Sequence, residues 1–137
     1  MIQEIKQFKT AALVLQVSKN YNPAKLNLAE WDRYLDILCS NRQYQKEAIH
    51  KAIIFLASGL YKNIQGLVNE NWLNPKMVEL KNRYQTVVDY EHNLQMHNKL
   101  SANIDLATGT GKSYVIYGIA QIMLSLDLVD RVLVLCP

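Results

Sequence analysis

The sequence has few of the residues that build disulfide frameworks or metal sites. It contains two cysteines and three histidines in 137 residues. Cys39 and Cys136 lie far apart and match no Cys-x-x-Cys or Cys/His ligand spacing, so we expect two free thiols in a reducing compartment. His50, His92 and His97 lie on polar stretches, which favours solvated surface imidazoles over a metal site. Composition therefore gives no support to a zinc protein.

Long apolar runs are also missing. The N-terminal stretch MIQEIKQFKT carries charge and glutamine where a signal peptide would need an apolar core of about seven residues or more. No segment approaches the roughly 20 apolar residues of a membrane span. The net charge of +3 permits contact with nucleic acid without indicating it. We therefore expect a globular cytoplasmic protein with no membrane partner.

Two amphipathic helices are predicted in the first half of the chain. The first has Asn27 as its N-cap, and its apolar residues recur at spacings of three and four: Leu28, Trp31, Leu35 and Leu38. The second lies within RQYQKEAIHKAIIFLASGLY (42–61), and Gly59 stands where a left-handed residue is expected at the C-terminal end of a helix. Residues 11–17, AALVLQV, are compatible with either a short strand or a buried helical turn.

A polar middle block predicts two further helices, at residues 62–70 and 76–93, separated by the breaker Asn74-Pro75. Because the block has no strand signal, we expect it to be a helical insertion. The expected organisation has four parts: an N-terminal mixed segment (1–40), a helix (41–60), the insertion (61–98) and a core (99–137).

The last part of the chain has the pattern of a strand, a helix and a second strand. KLSANIDLAT (99–108) is a short extended run, GKSYVIYGIAQIMLSLD (111–127) is apolar on nearly every side, and RVLVLCP (131–137) is β-branched and leucine-rich. This order is typical of a βαβ unit, and strands without polar alternation belong to a parallel sheet covered on both faces. The expected fold class is therefore α/β.

A glycine-rich loop joins the first predicted strand to the helix. Glycine permits the backbone angles of a phosphate-binding loop and leaves room for the anion. The N-terminus of the following helix adds partial positive charge at the same point. The spacing matches G-x-x-x-x-G-K-[ST] except that Leu106 replaces the first glycine. The predicted nucleotide-binding residues of the loop are Ala107, Thr108, Gly109, Thr110, Gly111, Lys112 and Ser113. Lys112 and Ser113 are also the catalytic candidates, with Ser113 offering its hydroxyl to nucleotide-bound Mg²⁺.

Three segments together resemble a known family. DLATGTGKS (105–113) resembles motif I of the superfamily 2 DEAD/DEAH-type helicases and translocases, in the form found in the helicase subunits of type I and type III restriction enzymes and related defence proteins. RVLVLCP resembles the strand of motif Ia, and RQYQKEAI (42–49) resembles the upstream glutamine motif. The resemblance implies the N-terminal part of a RecA-like P-loop domain, preceded and interrupted by a helical region.

The same resemblance assigns the base-recognition residues. Gln45 would read adenine, because an amide offers both a donor and an acceptor, and Arg42 and Tyr44 would shape the pocket. The alternative is a solvent-facing glutamine at the start of a helix. The separation of Gln45 from Lys112 is longer than such helicases usually show, which leaves this alternative open.

The implied function is an ATP- and Mg²⁺-dependent DNA helicase or translocase of a restriction or phage-defence system, with methyltransferase or specificity subunits as further partners. The residues resemble only its N-terminal portion, up to motif Ia. Without the acidic Walker B motif and a second RecA-like domain, that portion by itself is expected to be inactive. Two other functions stay open: a kinase-like P-loop nucleotide-binding enzyme, and a truncated, non-catalytic interaction module.

Overall fold

The computed structural model of the chain describes residues 15–94 and 96–135. The chain divides into two compact units. The described residues of the larger unit are 17–62 and 102–135, and those of the smaller unit are 15–16, 63–94 and 96–101. Most of the ambiguous segment 11–17, and the second cysteine, Cys136, lie outside the described residues.

The secondary structure of the described residues is helical. A short 3-10 turn, Leu28–Trp31, leads directly into the first α-helix. The α-helices are α1 (Asp32–Cys39), α2 (Gln43–Ala57), α3 (Ile64–Leu73), α4 (Val78–Arg83), α5 (Val87–His92) and α6 (Lys112–Ser125). Across the described ranges, no helix has the length and apolar character needed to cross a lipid bilayer.

The predicted α/β class with a parallel sheet is wrong for this structure. Residues 102–107 and 131–135 form neither a helix nor a hydrogen-bonded ladder with any described part of the chain. Leu133 and Leu135 are 81% and 83% exposed, so the apolar run is not covered as a buried strand would be. A β-branched sequence favours an extended backbone, but a sheet also requires partner strands on either side.

The core of the larger unit lies where α1, α2 and α6 meet. Leu35 of α1, Ile49 of α2 and Ile122 of α6 have no exposed surface. Further buried apolar residues surround them: Leu26, Leu28, Cys39, Ile53, Ile54 and Val115. Burial of each such side chain contributes about 1.5–3 kcal/mol, so this contact is the main source of stability in the unit.

Residues of α1 and α2 approach α6 closely at Gly118. A Cβ at this position would lie 2.6 Å from Ile49 Cδ1 and 3.1 Å from Leu38 Cδ2. Those distances are too short for ordinary van der Waals contact, so a larger side chain at position 118 would require the Ile49 and Leu38 side chains to move. The absence of a side chain at Gly118 therefore allows these two side chains to pack directly against α6.

A group of charged side chains joins α1 to α2 on the surface of the larger unit. Lys46 Nζ lies 2.8 Å from Asp36 Oδ1 and 3.3 Å from Asp32 Oδ1. The hydrogen bond to Asp36 raises the pKa of the Lys46 ammonium. His50 Nε2 lies 3.5 Å from Asp32 Oδ1, and burial lowers the pKa of His50 below its ordinary value. His50 is thus partly buried between helices and is not the freely solvated imidazole that the sequence predicts.

The first predicted helix begins later than expected. Asn27 makes no side-chain cap, and its Nδ2 instead donates to Glu30 Oε1 at 2.6 Å. The residues after Asn27 form the 3-10 turn, and the α-helix starts only at Asp32. At the end of α2, Gly59 adopts the predicted left-handed conformation, with φ of +75°.

The smaller unit contains α3, α4 and α5. Asn63 caps α3 by accepting a hydrogen bond from the Gly66 N–H, and Leu67, Val68 and Leu80 are among the unit's buried side chains. The single helix predicted over residues 76–93 is wrong, because the chain breaks after α4 and restarts at α5. Thr86 and Asp89 form a capping box that supplies this new helix start.

We expect Gly118→Ala to lower the free energy of unfolding by about 1 kcal/mol. Overpacking lowers the stability by about 1–3 kcal/mol. Alanine's greater helix propensity than glycine's offsets about 1 kcal/mol of this loss. Ile49→Val removes the Cδ1 methyl that the new Cβ would meet. The loss of unfolding free energy in the double variant should therefore be smaller than the sum of the two single losses by about 1 kcal/mol. Urea unfolding of all four proteins measures this coupling. Gly66→Ala, at an exposed position of α3, is the control and should not lower stability.

If the two losses of unfolding free energy are additive, the Cβ at position 118 does not meet the Ile49 side chain.

The lowered pKa of His50 predicts a loss of stability in mild acid. Below about pH 6.5 the unfolded chain protonates its histidine, whereas the folded state resists protonation of His50, so unfolding takes up a proton and stability falls with pH. Urea unfolding between about pH 7.5 and 5.5 should show this loss in the wild type and a smaller one in His50→Gln. His92→Gln, at an exposed histidine, should retain the wild-type slope. An unchanged slope in His50→Gln would contradict this role for His50.

Candidate phosphate-binding site

The glycine-rich loop is a tight turn immediately before α6. The Thr110 N–H donates to the Ala107 carbonyl at 3.3 Å, and the Thr110 hydroxyl donates to the same oxygen. Gly109 and Gly111 have φ values of +76° and +83°, in the left-handed region that favours glycine. Gly111 is also the N-cap of α6. The turn therefore carries its glycines at the positions where the backbone requires them.

The two glycines differ in the space around them. A Cβ at Gly109 would meet no atom within 4 Å. A Cβ at Gly111 would overlap Gln45 Nε2 and would lie 3.1 Å from Tyr114 Cδ2 and 3.4 Å from Arg42 Nη1. Gly111 is thus required both by its backbone angle and by the close approach of residues from the start of α2.

A cavity of about 430 Å³ lies at the N-terminus of α6. Its lining combines the loop backbone with two cationic side chains and is formed by Arg42, Thr108, Gly109, Gly111, Lys112, Ser113 and Tyr114. No acidic side chain lines this cavity among the described residues. The dipole of the 14-residue α6 adds partial positive charge at the same end. The cavity therefore favours an anion.

The segment Arg42–Gln45 reaches the loop through a tight connection between α1 and α2. Ser40 and Asn41 both adopt left-handed angles, with φ of 46° and 64°, and turn the chain so that α2 begins at Gln43. Non-glycine residues seldom adopt such angles, although asparagine tolerates them better than most. The connection places Arg42 at the edge of the cavity.

Two side chains of α2 contact the loop directly. The Tyr44 hydroxyl donates to the Thr110 carbonyl at 2.8 Å, and Gln45 Nε2 donates to the same oxygen at 2.5 Å. Gln45 has no exposed surface, and its Oε1 has no hydrogen-bond partner among the described residues. The solvent-facing alternative for Gln45 is therefore wrong. Its amide faces the loop and does not line the cavity.

The structure brings the sequence-predicted residues together in three groups. The first lines the cavity: Arg42, Thr108, Gly109, Gly111, Lys112 and Ser113. The second, Ala107 and Thr110, forms the turn, and the third, Tyr44 and Gln45, holds the turn from the side of α2. Sequence reasoning missed Tyr114, which lines the cavity from the first turn of α6. Its position directly after Ser113 was the available signal, since the first turn of a helix borders any ligand at its N-terminus.

We expect Gly111→Ala to destabilise the larger unit more than Gly109→Ala does. Both changes place an alanine at a left-handed angle, which costs roughly 1–2 kcal/mol. Only Gly111→Ala also displaces the Gln45 amide from the Thr110 carbonyl, and leaving a buried group unpaired costs about 1–3 kcal/mol more. Urea unfolding of the two variants measures the difference. Equal losses would show that the space beside Gly111 is not needed for stability.

One family model covers both parts of the site. The family model for the type III restriction enzyme, res subunit, matches residues 38–137, which include both the Arg42–Gln45 segment and the glycine loop. No curated protein and no solved structure matches the chain. On this match, the chain belongs to the helicase-like family of type III restriction enzyme res subunits.

Proposed function

We propose that the larger unit binds ATP with Mg²⁺ and serves as the nucleotide-binding part of an ATP-dependent DNA helicase or translocase in a restriction system. The observation that carries this proposal is the cavity at the N-terminus of α6, where the glycine loop, Lys112 and Arg42 converge. The family match supports the kind of reaction, because res subunits are helicase-like. It gives no support to a kinase-like enzyme.

The cavity fits a polyphosphate chain. The N–H groups of Gly111, Lys112 and Ser113 have no acceptor among the described residues, as is usual at the start of a helix. In the proposal they donate to phosphate oxygens, while the exposed Lys112 ammonium contacts the β- and γ-phosphates. Gly109 leaves open space on the remaining side of the loop. Lys112 would thus act in binding and also in stabilising charge on the transferred phosphoryl group.

Magnesium would be held through the nucleotide. Ser113 is exposed in the first turn of α6 and offers a hydroxyl oxygen, a ligand that Mg²⁺ accepts. Within the described ranges, no group of three or more acidic, histidine or cysteine side chains could hold a metal ion. A bound Mg²⁺ ion would neutralise part of the negative charge of the phosphates.

The base-recognition roles predicted for Arg42, Tyr44 and Gln45 stay predictions. Arg42 lines the cavity beside Lys112, and so its guanidinium is close enough to the proposed ligand to take part in binding. Lys46, the next cation along α2, is already paired with Asp32 and Asp36. Arg42 and Lys112 are therefore the two cations that the proposal assigns to the nucleotide.

DNA and a methyltransferase or specificity subunit are the proposed partners, and the cytoplasm is the proposed location. These follow from the family and not from any surface of the described residues. Contacts of a translocase are mainly to the DNA phosphates, so binding should weaken steeply with salt and depend little on base sequence.

We expect Lys112→Ala to weaken ATP binding by roughly 10- to 150-fold, because a charge-assisted contact to phosphate is worth about 1.5–3 kcal/mol. Titration calorimetry with ATP and Mg²⁺ measures the change. Lys51→Ala, at an exposed position of α2, is the matched control and should bind like the wild type. Lys112→Ala should also abolish ATP hydrolysis stimulated by double-stranded DNA. If this variant binds and hydrolyses ATP as the wild type does, the cavity is not the ATP-binding site.

A further inference from the structure

The Thr110 carbonyl accepts two side-chain hydrogen bonds. The donors are the Tyr44 hydroxyl and Gln45 Nε2, which precede Thr110 by 66 and 65 positions in the sequence. A carbonyl oxygen has two lone pairs, so the two donors together saturate this acceptor. The direction of the Thr110 carbonyl is therefore fixed from the start of α2.

Fixing the carbonyl also fixes the next N–H. The peptide bond between Thr110 and Gly111 is planar and trans, as all described peptide bonds are, so its C=O and N–H point in opposite directions. The Gly111 N–H is consequently directed away from Tyr44 and Gln45. It has no acceptor among the described residues, and Gly111 lines the cavity. The Gly111 N–H therefore stays available to an anion in the cavity.

The environment of Gln45 fits this role better than it fits contact with a base. The side chain has no exposed surface and is absent from the cavity lining, so an adenine edge would have to reach a wholly buried amide. Base recognition also gives no reason for the Tyr44 hydroxyl to share the acceptor of Gln45. Orientation of the peptide accounts for both hydrogen bonds.

We propose that Tyr44 and Gln45 are positioning residues that hold the Thr110–Gly111 peptide with its N–H toward the bound phosphate. The proposal rests on the proposed function, since it requires a polyphosphate in the cavity. In this proposal the two residues contribute equally to the binding of every polyphosphate ligand, whatever base the ligand carries. Loss of either donor frees the peptide to rotate, which weakens the contact between the Gly111 N–H and the anion.

The test compares ATP, GTP and inorganic triphosphate, each with Mg²⁺, by titration calorimetry. Gln45→Ala should weaken all three ligands by a common factor of roughly 3- to 10-fold, and Tyr44→Phe by a common factor of roughly 2- to 5-fold, the range of a single net hydrogen bond. Gln43→Ala is the matched control, because this glutamine is exposed in the same turn of α2 and should bind like the wild type.

A spectroscopic measurement separates positioning from general support of the fold. In wild-type protein labelled with ¹⁵N, inorganic triphosphate should shift the Gly111 amide resonance strongly and leave that of Gly59 unchanged. In Tyr44→Phe at saturating ligand, the Gly111 shift should be smaller while the urea midpoint stays close to that of the wild type. If Gln45→Ala fails to fold, Tyr44→Phe decides, because Tyr44 is 43% exposed and loses only its hydroxyl.

Two results would overturn the proposal. One is a loss confined to ATP, with inorganic triphosphate bound as in the wild type, since that would make Gln45 a reader of the base. The other is unchanged binding of all three ligands and an unchanged Gly111 shift in Tyr44→Phe. If the wild type binds none of the ligands, the proposed function fails together with this inference. If Lys112→Ala weakens binding but Tyr44→Phe does not, the function stands and the inference alone is wrong.

Discussion

The close crossing of α2 and α6 is the constraint on which the rest of the larger unit depends. Ile49 lies against Gly118 along the crossing, and one turn earlier Gln45 meets the loop that precedes α6. Both helices therefore begin at the same end of the unit. Their N-termini bring Arg42 and Lys112 to one cavity.

The positive charge around the cavity depends on which cationic side chains are already paired with carboxylates. Lys46 is held by Asp32 and Asp36, so its charge is compensated on the side of α1. Arg42 and Lys112 line the cavity, and no carboxylate among the described residues lines it with them. An anion entering the cavity meets two cations, the dipole of α6 and backbone N–H groups that have no other acceptor. Charge of one sign is thus concentrated where the loop leaves room for a ligand.

The apolar segments on either side of α6 show the limit of sequence patterns for sheets. Residues 102–107 and 131–135 have the composition of buried strands, yet in the described chain they form no strand. Ile104, Val132 and Val134 are each at least two-fifths exposed. The apolar pattern predicts strands, but a strand also depends on pairing with segments elsewhere in the chain, which the pattern does not specify.

The sequence by itself determined the features that arise within a few residues. The glycine positions of the loop, the start of α6 at Lys112, the helix from Gln43 and the left-handed Gly59 follow from local sterics and spacing. The break before α5 was also encoded locally, in Thr86 and Asp89, although the helical pattern concealed it. Local backbone preferences act over one or two turns, which is why these features could be predicted.

Only the tertiary structure decided which distant residues meet. The contacts of Tyr44 and Gln45 with Thr110 join positions 66 and 65 residues apart, and the burial of His50 depends on α1 packing beside α2. Such contacts are set by the packing of whole helices, whose geometry no short pattern specifies. The sequence therefore determined the glycine loop, and the helix packing decided which residues hold it.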